Sequence, residues 1–459
     1  MLNARLMVAR GACLALGRKK ITLALAGTCL FLACLSCPSE TMAPHPPAGQ
    51  ADSDAPLVIF LTGNTLGSLR PCGCSGGQLG GLEKRPAIFD RTPALSRVVV
   101  DTGSFAAGDG EQDLIKFRVL FEALQLLDYD AVCLTDEDIA MAERLGLLTN
   151  PQRAFTLLKD RDAELEVFAK GFPDQGVTVK VATLDPRITP VERVAEIFAE
   201  EEGEATVNIL IFRSRDSGLL ADVAARAPGV DCIVCPSEMD EPVLLSGPGA
   251  KPMVVTTGRL GRHICRLDVA IPASGGRPTL RFTDIPVTED LPDDPALIRL
   301  YKQYQQLVGA ANLLESYPRI PLPDGLAFTG SESCKRCHQY EFDAWMTKRH
   351  ADALSSLKRV GSDRDPECVV CHVIGMEYDS GYITEEKTPH MKDVGCENCH
   401  GPGSEHIASF GQKPTREPKM SCLTCHTPEK STGFAGHEEE YMKKIVHWRE
   451  PAAAGDVKD

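Results

Sequence analysis

The sequence predicts an α/β layered-sheet region followed by a mainly α region whose interior its own side chains cannot fill. Two observations predict this. Over residues 56–290, short β-branched runs alternate with stretches of helical periodicity, the pattern of sheets layered between helices. Over residues 327–450 one five-residue pattern recurs four times: Cys334-Lys-Arg-Cys337-His338, Cys368-Val-Val-Cys371-His372, Cys396-Glu-Asn-Cys399-His400 and Cys422-Leu-Thr-Cys425-His426.

C-x-x-C-H reads as a c-type haem attachment motif. Two thiols at that spacing reach the two vinyl groups on one porphyrin edge, and the next residue turns its imidazole onto the iron. Cys34-x-x-Cys37 and Cys232-x-x-Cys235 share the cysteine spacing, but proline follows each. Zinc ribbons also use C-x-x-C pairs, yet rarely require a histidine directly after each one. A disulfide framework is a poor alternative, because pairs this close do not staple a fold well. The repeats give each haem about thirty residues, too few for an ordinary side-chain core. Four covalently bound haem c groups must then form most of the interior, closely packed, and such groups move electrons.

In chain order, the 459 residues suggest two or more domains. The net charge of −15 argues against nucleic acid as a partner and suggests no basic membrane patch. Residues 1–33 read as an export signal. Arg18-Lys19-Lys20 precedes the apolar run Ile21 to Ala33, which is short for a membrane span. Ala33-Cys34 resembles a bacterial lipoprotein cleavage box, with Cys34 as the lipidated residue and Cys37 as second choice. A simple cleaved signal and an uncleaved anchor are the alternatives. Residues 34–55 read as a flexible tether.

In the α/β region, Leu57 to Leu61, Arg97 to Val100, Ala131 to Leu134, Val207 to Phe212 and Cys232 to Cys235 suit buried strands. Asp113 to Leu127 and Val191 to Glu201 read as helices. Met253 to Thr256, His263 to Ile271 and Thr279 to Ile285 close the region with β-structure. Cys133 and Cys232 fit buried core thiols. Cys72 and Cys74 suit a disulfide or a structural metal with partners such as Cys235 or Cys265. The acidic run Asp136-Glu137-Asp138 reads as a solvated loop, with cation binding as the alternative. Residues 291–326 link the domains through a helix over Leu297 to Leu314, and 451–459 form a tail.

Local patterns in the α/β region resemble the calcineurin-like metallophosphoesterases, specifically the N-terminal domain of the 5′-nucleotidase family. They are Phe60-Leu-Thr-Gly-Asn-Thr-Leu-Gly67, Gly80-Gly-Leu-Glu-Lys-Arg85, Val98-Val-Val-Asp-Thr-Gly-Ser104, Tyr129-Asp-Ala-Val132 and Pro228-Gly-Val-Asp-Cys-Ile-Val234. The resemblance implies metal ligands where this sequence has Asn64, Leu66, Ser104, Asp136, Glu137, Ser237, Met239 and, near Phe212, Arg213. A two-metal hydrolase needs a cage of carboxylates and imidazoles. These residues do not build one, so phosphoesterase activity is expected to be absent and the region to serve as scaffold or docking surface.

The C-terminal region resembles the tetrahaem cytochrome c family of nitrifying and related respiratory chains. Besides the motifs, the match lies in Trp345 with His350-Ala351, in Val394-Gly-Cys-Glu-Asn-Cys-His-Gly-Pro-Gly-Ser-Glu-His406, and in Ile445-Val-His447. It implies close-packed haems with mostly bis-histidine ligation. His338, His372, His400 and His426 are the expected proximal ligands, and the resemblance supports His350, His406 and His447 as distal ones. His350 falls in a stretch that reads as one helix from Glu341 to Leu357, so it should serve a haem other than that of His338. His390 and His437 are weaker distal candidates. One iron, of the second or third haem, is left without an assigned sixth ligand.

The sequence thus predicts an exported, periplasm-facing bacterial lipoprotein of the inner or outer membrane that carries electrons. Its expected partners are other cytochromes or quinone-linked oxidoreductases, and the membrane through its lipid anchor. The alternatives are a multihaem oxidoreductase reducing a small nitrogen or sulfur oxide at one open haem, and a phosphoester-binding or phosphoester-hydrolysing protein fused to a haem domain.

Overall fold

The structure is a computed structural model that describes residues 57–449, apart from 72–75, 162–163, 199–204, 248, 273–275 and 417–421. The expected signal, tether and tail, with Cys34, Cys37, Cys72 and Cys74, lie outside the described residues. No helix among the described residues is long and apolar enough to cross a membrane.

Two sheets form the centre of the α/β region. The first has the strand order Thr279–Pro286, His263–Ala270, Leu57–Thr62, Arg97–Asp101, Ala131–Cys133, Thr156–Leu158. The second runs Met253–Thr256, Cys232–Cys235, Ala205–Phe212, Val177–Leu184, Val167–Phe172. Leu57–Thr62 is buried along its whole length because it serves two cores. Leu57, Ile59 and Leu61 join the cluster shared with Val179, Val181, Val207 and Ile209 of the second sheet. Val58 and Phe60 face the helical layer instead. A strand covered on both faces reads as a continuous apolar run, which makes it legible in the sequence.

The helix Glu111–Leu126 covers the outer face of the first sheet, and Ser217–Arg226 belongs to the layer outside the second. The helix Pro295–Ala311 lies in the stretch expected to be a linker. It packs on Glu111–Leu126 and sends Leu297, Leu300, Tyr304 and Val308 into the same core. The continuous helix expected from Leu297 to Leu314 stops at Asn312, which takes a left-handed conformation (φ 54°), and resumes as Leu313–Ser316. Val191 to Glu201 is likewise shorter than expected, with a 3₁₀ turn at Val191–Arg193 and a helix over Val194–Ile197.

The acidic run Asp136-Glu137-Asp138 is not a solvated loop but the first turn of the helix Asp136–Arg144. Asp138 is only 2% exposed and accepts from the backbone N–H groups of Ser104, Phe105 and Thr135 at 2.7, 2.9 and 3.0 Å. Unpaired N–H groups at a helix start and a tight loop draw this carboxylate inward.

The C-terminal region consists of short helices around one small apolar cluster that includes Leu354, Leu357, Val373, Ile374 and Met391. The expected single helix over Glu341 to Leu357 is broken into Gln339–Trp345, a 3₁₀ turn Arg349–Asp352, and Ala353–Val360. Thr347 bonds its hydroxyl to the Ala344 carbonyl at 2.7 Å, in competition with the backbone ladder, and Lys348 is extended. His350 therefore sits in a turn, with its carbonyl held by Val394 N–H at 3.0 Å.

Candidate functional site

Each Cys-x-x-Cys pair lies on a helical turn, where residues three apart share a face. Pro366–Val369, Cys396–His400 and Cys422–Cys425 are short helices, and Cys334 follows the 3₁₀ turn Ser331–Ser333. Residues between and beside the cysteines fix these turns. Glu397 is 3% exposed and accepts from the N–H groups of Thr329, Gly330 and Gly403. Asn398 ties the third motif to the Val373 carbonyl of the second at 2.8 Å. The Cys334 thiol lies beside that of Cys396, and the Cys371 thiol beside that of Cys425. The first motif thus adjoins the third, and the second adjoins the fourth.

Among the described residues, histidines meet in three pairs. His338 faces His406 with ring centres 6.2 Å apart, His350 faces His426 at 6.4 Å, and His400 faces His447 at 6.3 Å. With a metal–nitrogen bond of about 2.0 Å and about 1.1 Å from nitrogen to ring centre, two imidazoles sharing one metal have centres about 6.2 Å apart. In every pair a motif histidine meets one of the three expected distal candidates. None pairs His350 with His338.

Backbone and hydroxyl groups hold the rings at Nδ1. His406 Nδ1 bonds the Lys413 carbonyl at 2.7 Å, His447 the Ile445 carbonyl at 2.9 Å, and His426 the Ser431 hydroxyl at 3.0 Å. This leaves Nε2 for a metal, with the other nitrogen oriented as ligating imidazoles require. Burial pushes the pKa values of His350, His372, His400 and His426 down, which favours the neutral form that ligates.

His372 stands apart. Its Nδ1 donates to the Ala353 carbonyl at 2.7 Å, yet no second imidazole faces it among the described residues. His390 and His437 are exposed, and neither ring pairs with another histidine among the described residues. His437 instead lies 3.7 Å from Glu440.

His372 lines a cavity of about 2020 Å³ together with Cys368, Cys371, Cys425, His426 and His350. Pockets for one small ligand span roughly 300–1,000 Å³, so there is room here for more than one large group. The cavity, the paired rings and the scarcity of apolar side chains all fit haem c at the four motifs.

The α/β region has a separate cleft of about 190 Å³. Asn64, Ser104, Asp136, Glu137, Arg213 and Ser237 line it, so six of the eight positions matched by resemblance converge, whereas Leu66 lines the larger cavity and Met239 is exposed. Asn64, Leu66 and Ser104 keep left-handed backbone (φ 52°, 50° and 62°), unusual for residues with a Cβ. Asn64 donates to the Ser237 and Gly258 carbonyls, and Arg213 to those of Thr102 and Cys133. Asp160, Asp185 and Arg187 also line the cleft, from a segment whose strands the sequence reading does not find. Among the described residues no three His, Cys, Asp or Glu side chains are placed to hold a metal ion.

Residues 333–401 match the family described as cytochrome c554 and c-prime. Cytochrome c-554 of Nitrosomonas europaea is 36% identical over a 91-residue alignment, with 17% of this chain and 39% of that protein covered. The chain thus spans about two fifths of this curated relative. The reduced-state structure of cytochrome c554 from that organism aligns at 25% identity with a TM-score of 0.23, covering 27% of this chain and 85% of the other. The 5′-nucleotidase precursor of Thermus thermophilus aligns at 17% identity with a TM-score of 0.42, covering 66% of this chain and 68% of the other. The class these matches define is limited to the motif segment, which is similar to the cytochrome c554 and c-prime family.

Proposed function

We propose that this chain is an exported tetrahaem electron carrier of a respiratory chain. Cys334 and Cys337, Cys368 and Cys371, Cys396 and Cys399, and Cys422 and Cys425 each attach one haem c. His338, His372, His400 and His426 are the proximal ligands. His406, His350 and His447 complete the first, fourth and third irons respectively. The reading rests on the three imidazole pairs spaced 6.2–6.4 Å apart, the distance for one shared metal.

Bound haem c supplies a one-electron couple, and imidazole pairs give it a lower potential than His/Met ligation. The protein orients His372, His406, His426 and His447 through Nδ1, favours the neutral form of His350, His372, His400 and His426 by burial, and ties the third motif to the second through Asn398. Other cytochromes or quinone-linked oxidoreductases are the proposed partners, and lipidation at Cys34 the proposed anchor to a periplasm-facing membrane. The α/β region serves as a non-catalytic scaffold, since Asn64 and Arg213 spend their side chains on backbone carbonyls. A second reading, reduction of a small nitrogen or sulfur oxide, is favoured at one place only, because His372 has no facing imidazole among the described residues. The intact mass of the mature protein tests the count. It should exceed the polypeptide by four haem masses, and an excess of two or three contradicts the reading.

A further inference from the structure

The small cleft of the α/β region holds polar groups that the fold leaves unused. It opens at the carboxyl ends of the strands Val177–Leu184, Ala205–Phe212 and Cys232–Cys235, which give it Thr183, Ile211 and Val234. Thr183 is 1% exposed, and its hydroxyl oxygen has no hydrogen-bond partner among the described residues. Alternation along its strand puts it on the same face as Val179 and Val181, which fill the apolar space between the two sheets. The hydroxyl therefore ends that apolar space at the floor of the cleft. An unpaired buried hydroxyl is costly, and a ligand that bonds it removes the cost.

The charges of the cleft are unevenly used. Arg213 donates to the Thr102 and Cys133 carbonyls, and Arg187 donates to Asp185 from Nε at 2.9 Å, so both cations are spent. Asp160 is 5% exposed and accepts from the Thr189 hydroxyl at 2.6 Å and from the Asp185 N–H. Asp136 and Glu137 lie exposed at the rim, in the first turn of the helix Asp136–Arg144. Their carboxylates accept no hydrogen bond and form no ion pair among the described residues. The unspent charge is thus negative, and the walls beneath it are apolar, with Leu134, Ile188, Ile211 and Val234.

Ligand classes meet this surface differently. A multiply charged oxyanion would face bare carboxylates and no unpaired guanidinium. A divalent metal ion needs several oxygens around one point, and among the described residues no three His, Cys, Asp or Glu side chains are so placed. An organic ammonium finds carboxylates for its charge, apolar walls for its methylenes and a lone hydroxyl for a polar far end.

We infer that this cleft binds a short aliphatic amino alcohol, with its ammonium at Asp136 and Glu137 and its hydroxyl on Thr183. The inference stands apart from the haem reading. It makes the α/β region a binding module as well as a scaffold.

Calorimetric titration of the haem-loaded full-length protein with aminobutanol, its amine and hydroxyl at opposite ends, is the test. The amino alcohol should fill a single site. Thr183→Val keeps the shape, loses the hydroxyl and should weaken binding about three- to tenfold, the range of one neutral hydrogen bond. Asp136→Asn combined with Glu137→Gln should weaken it by about as much, and the difference should shrink as salt rises. Butylamine, the same chain without the hydroxyl, should bind wild type about three- to tenfold less tightly, a comparison that needs no variant should the valine protein fail to fold. Equal affinity for the two amines, or unchanged affinity in the carboxamide variant, overturns the inference. So does an amino alcohol that does not bind, or one that inorganic phosphate or calcium displaces from the cleft.

Discussion

Asp365 offers a direct test of how firmly the two regions are joined. It is 7% exposed and receives hydrogen bonds from the Tyr304 hydroxyl and the Gln112 amide at 2.8 Å, and from the Glu367 N–H at 3.0 Å. Asp365→Ala removes a helix N-cap, worth about 1 kcal/mol. It also leaves the buried Tyr304 hydroxyl without its acceptor, at about 1–3 kcal/mol, while the half-buried Gln112 amide keeps its bond to the Tyr304 oxygen at 2.9 Å. Part of this is offset, because the carboxylate no longer has to be buried, so a net loss of about 2 kcal/mol is expected. Denaturant unfolding of the haem-loaded protein, followed by both protein and haem absorbance, reads the loss. Asp365→Asn keeps the shape and should cost only about 1 kcal/mol at pH 8. The pH dependence has a definite sign. Burial raises the pKa of Asp365, although the bonds from Tyr304 and Gln112 oppose the rise. The folded chain therefore holds that proton more tightly than the unfolded chain. Its contribution to stability is greatest below the ordinary value of 3.8 and declines as pH rises through the folded value. Wild type should thus gain on Asp365→Asn as pH falls. An Asp365→Ala variant within about 0.5 kcal/mol of wild type, the usual scatter of surface substitutions, would refute the claim that this network joins the regions.

Two further outcomes follow from the sites. The purified protein should show no metal-dependent hydrolysis of nucleotides or model phosphodiesters with manganese, zinc or calcium; robust turnover that survives repurification would contradict the scaffold reading of the Asn64 and Arg213 cleft. Cys34→Ser should release the protein from membranes into the soluble periplasmic fraction, and a wild-type protein already soluble there would rule out the anchor.

The parts of the fold legible in the sequence are those with local causes. The runs 57–61 and 209–212, within the strands Leu57–Thr62 and Ala205–Phe212, are continuously apolar because both faces are covered. The strands between residues 156 and 184 escape the sequence reading although Val177-Thr-Val-Lys-Val181 alternates cleanly; Thr156–Leu158 is too short to carry a pattern, and Val167–Phe172 is interrupted by Lys170 and Gly171. Asp138 looks solvated in the sequence because its three N–H partners belong to its helix start and to the loop at Ser104. In the cytochrome region the motifs are plain, and His350, His406 and His447 can be picked out as ligand candidates. Which ring each meets is not readable. The pairing depends on the break at Thr347–Lys348 and on long-range contacts such as Val394 to His350, which no periodicity encodes. The role of Gln112, Tyr304 and Asp365 is equally hidden, since each looks ordinary in its own segment.

Electron paramagnetic resonance of the fully oxidised protein tests the central claim most directly. Three imidazole pairs and one unpaired His372 predict low-spin signals from three haems and a high-spin signal from the fourth, in a ratio of three to one. Four low-spin signals would contradict the account, because a sixth ligand would then have to reach the iron at His372. Two or more high-spin haems would contradict it from the other side, by breaking at least one of the three pairs.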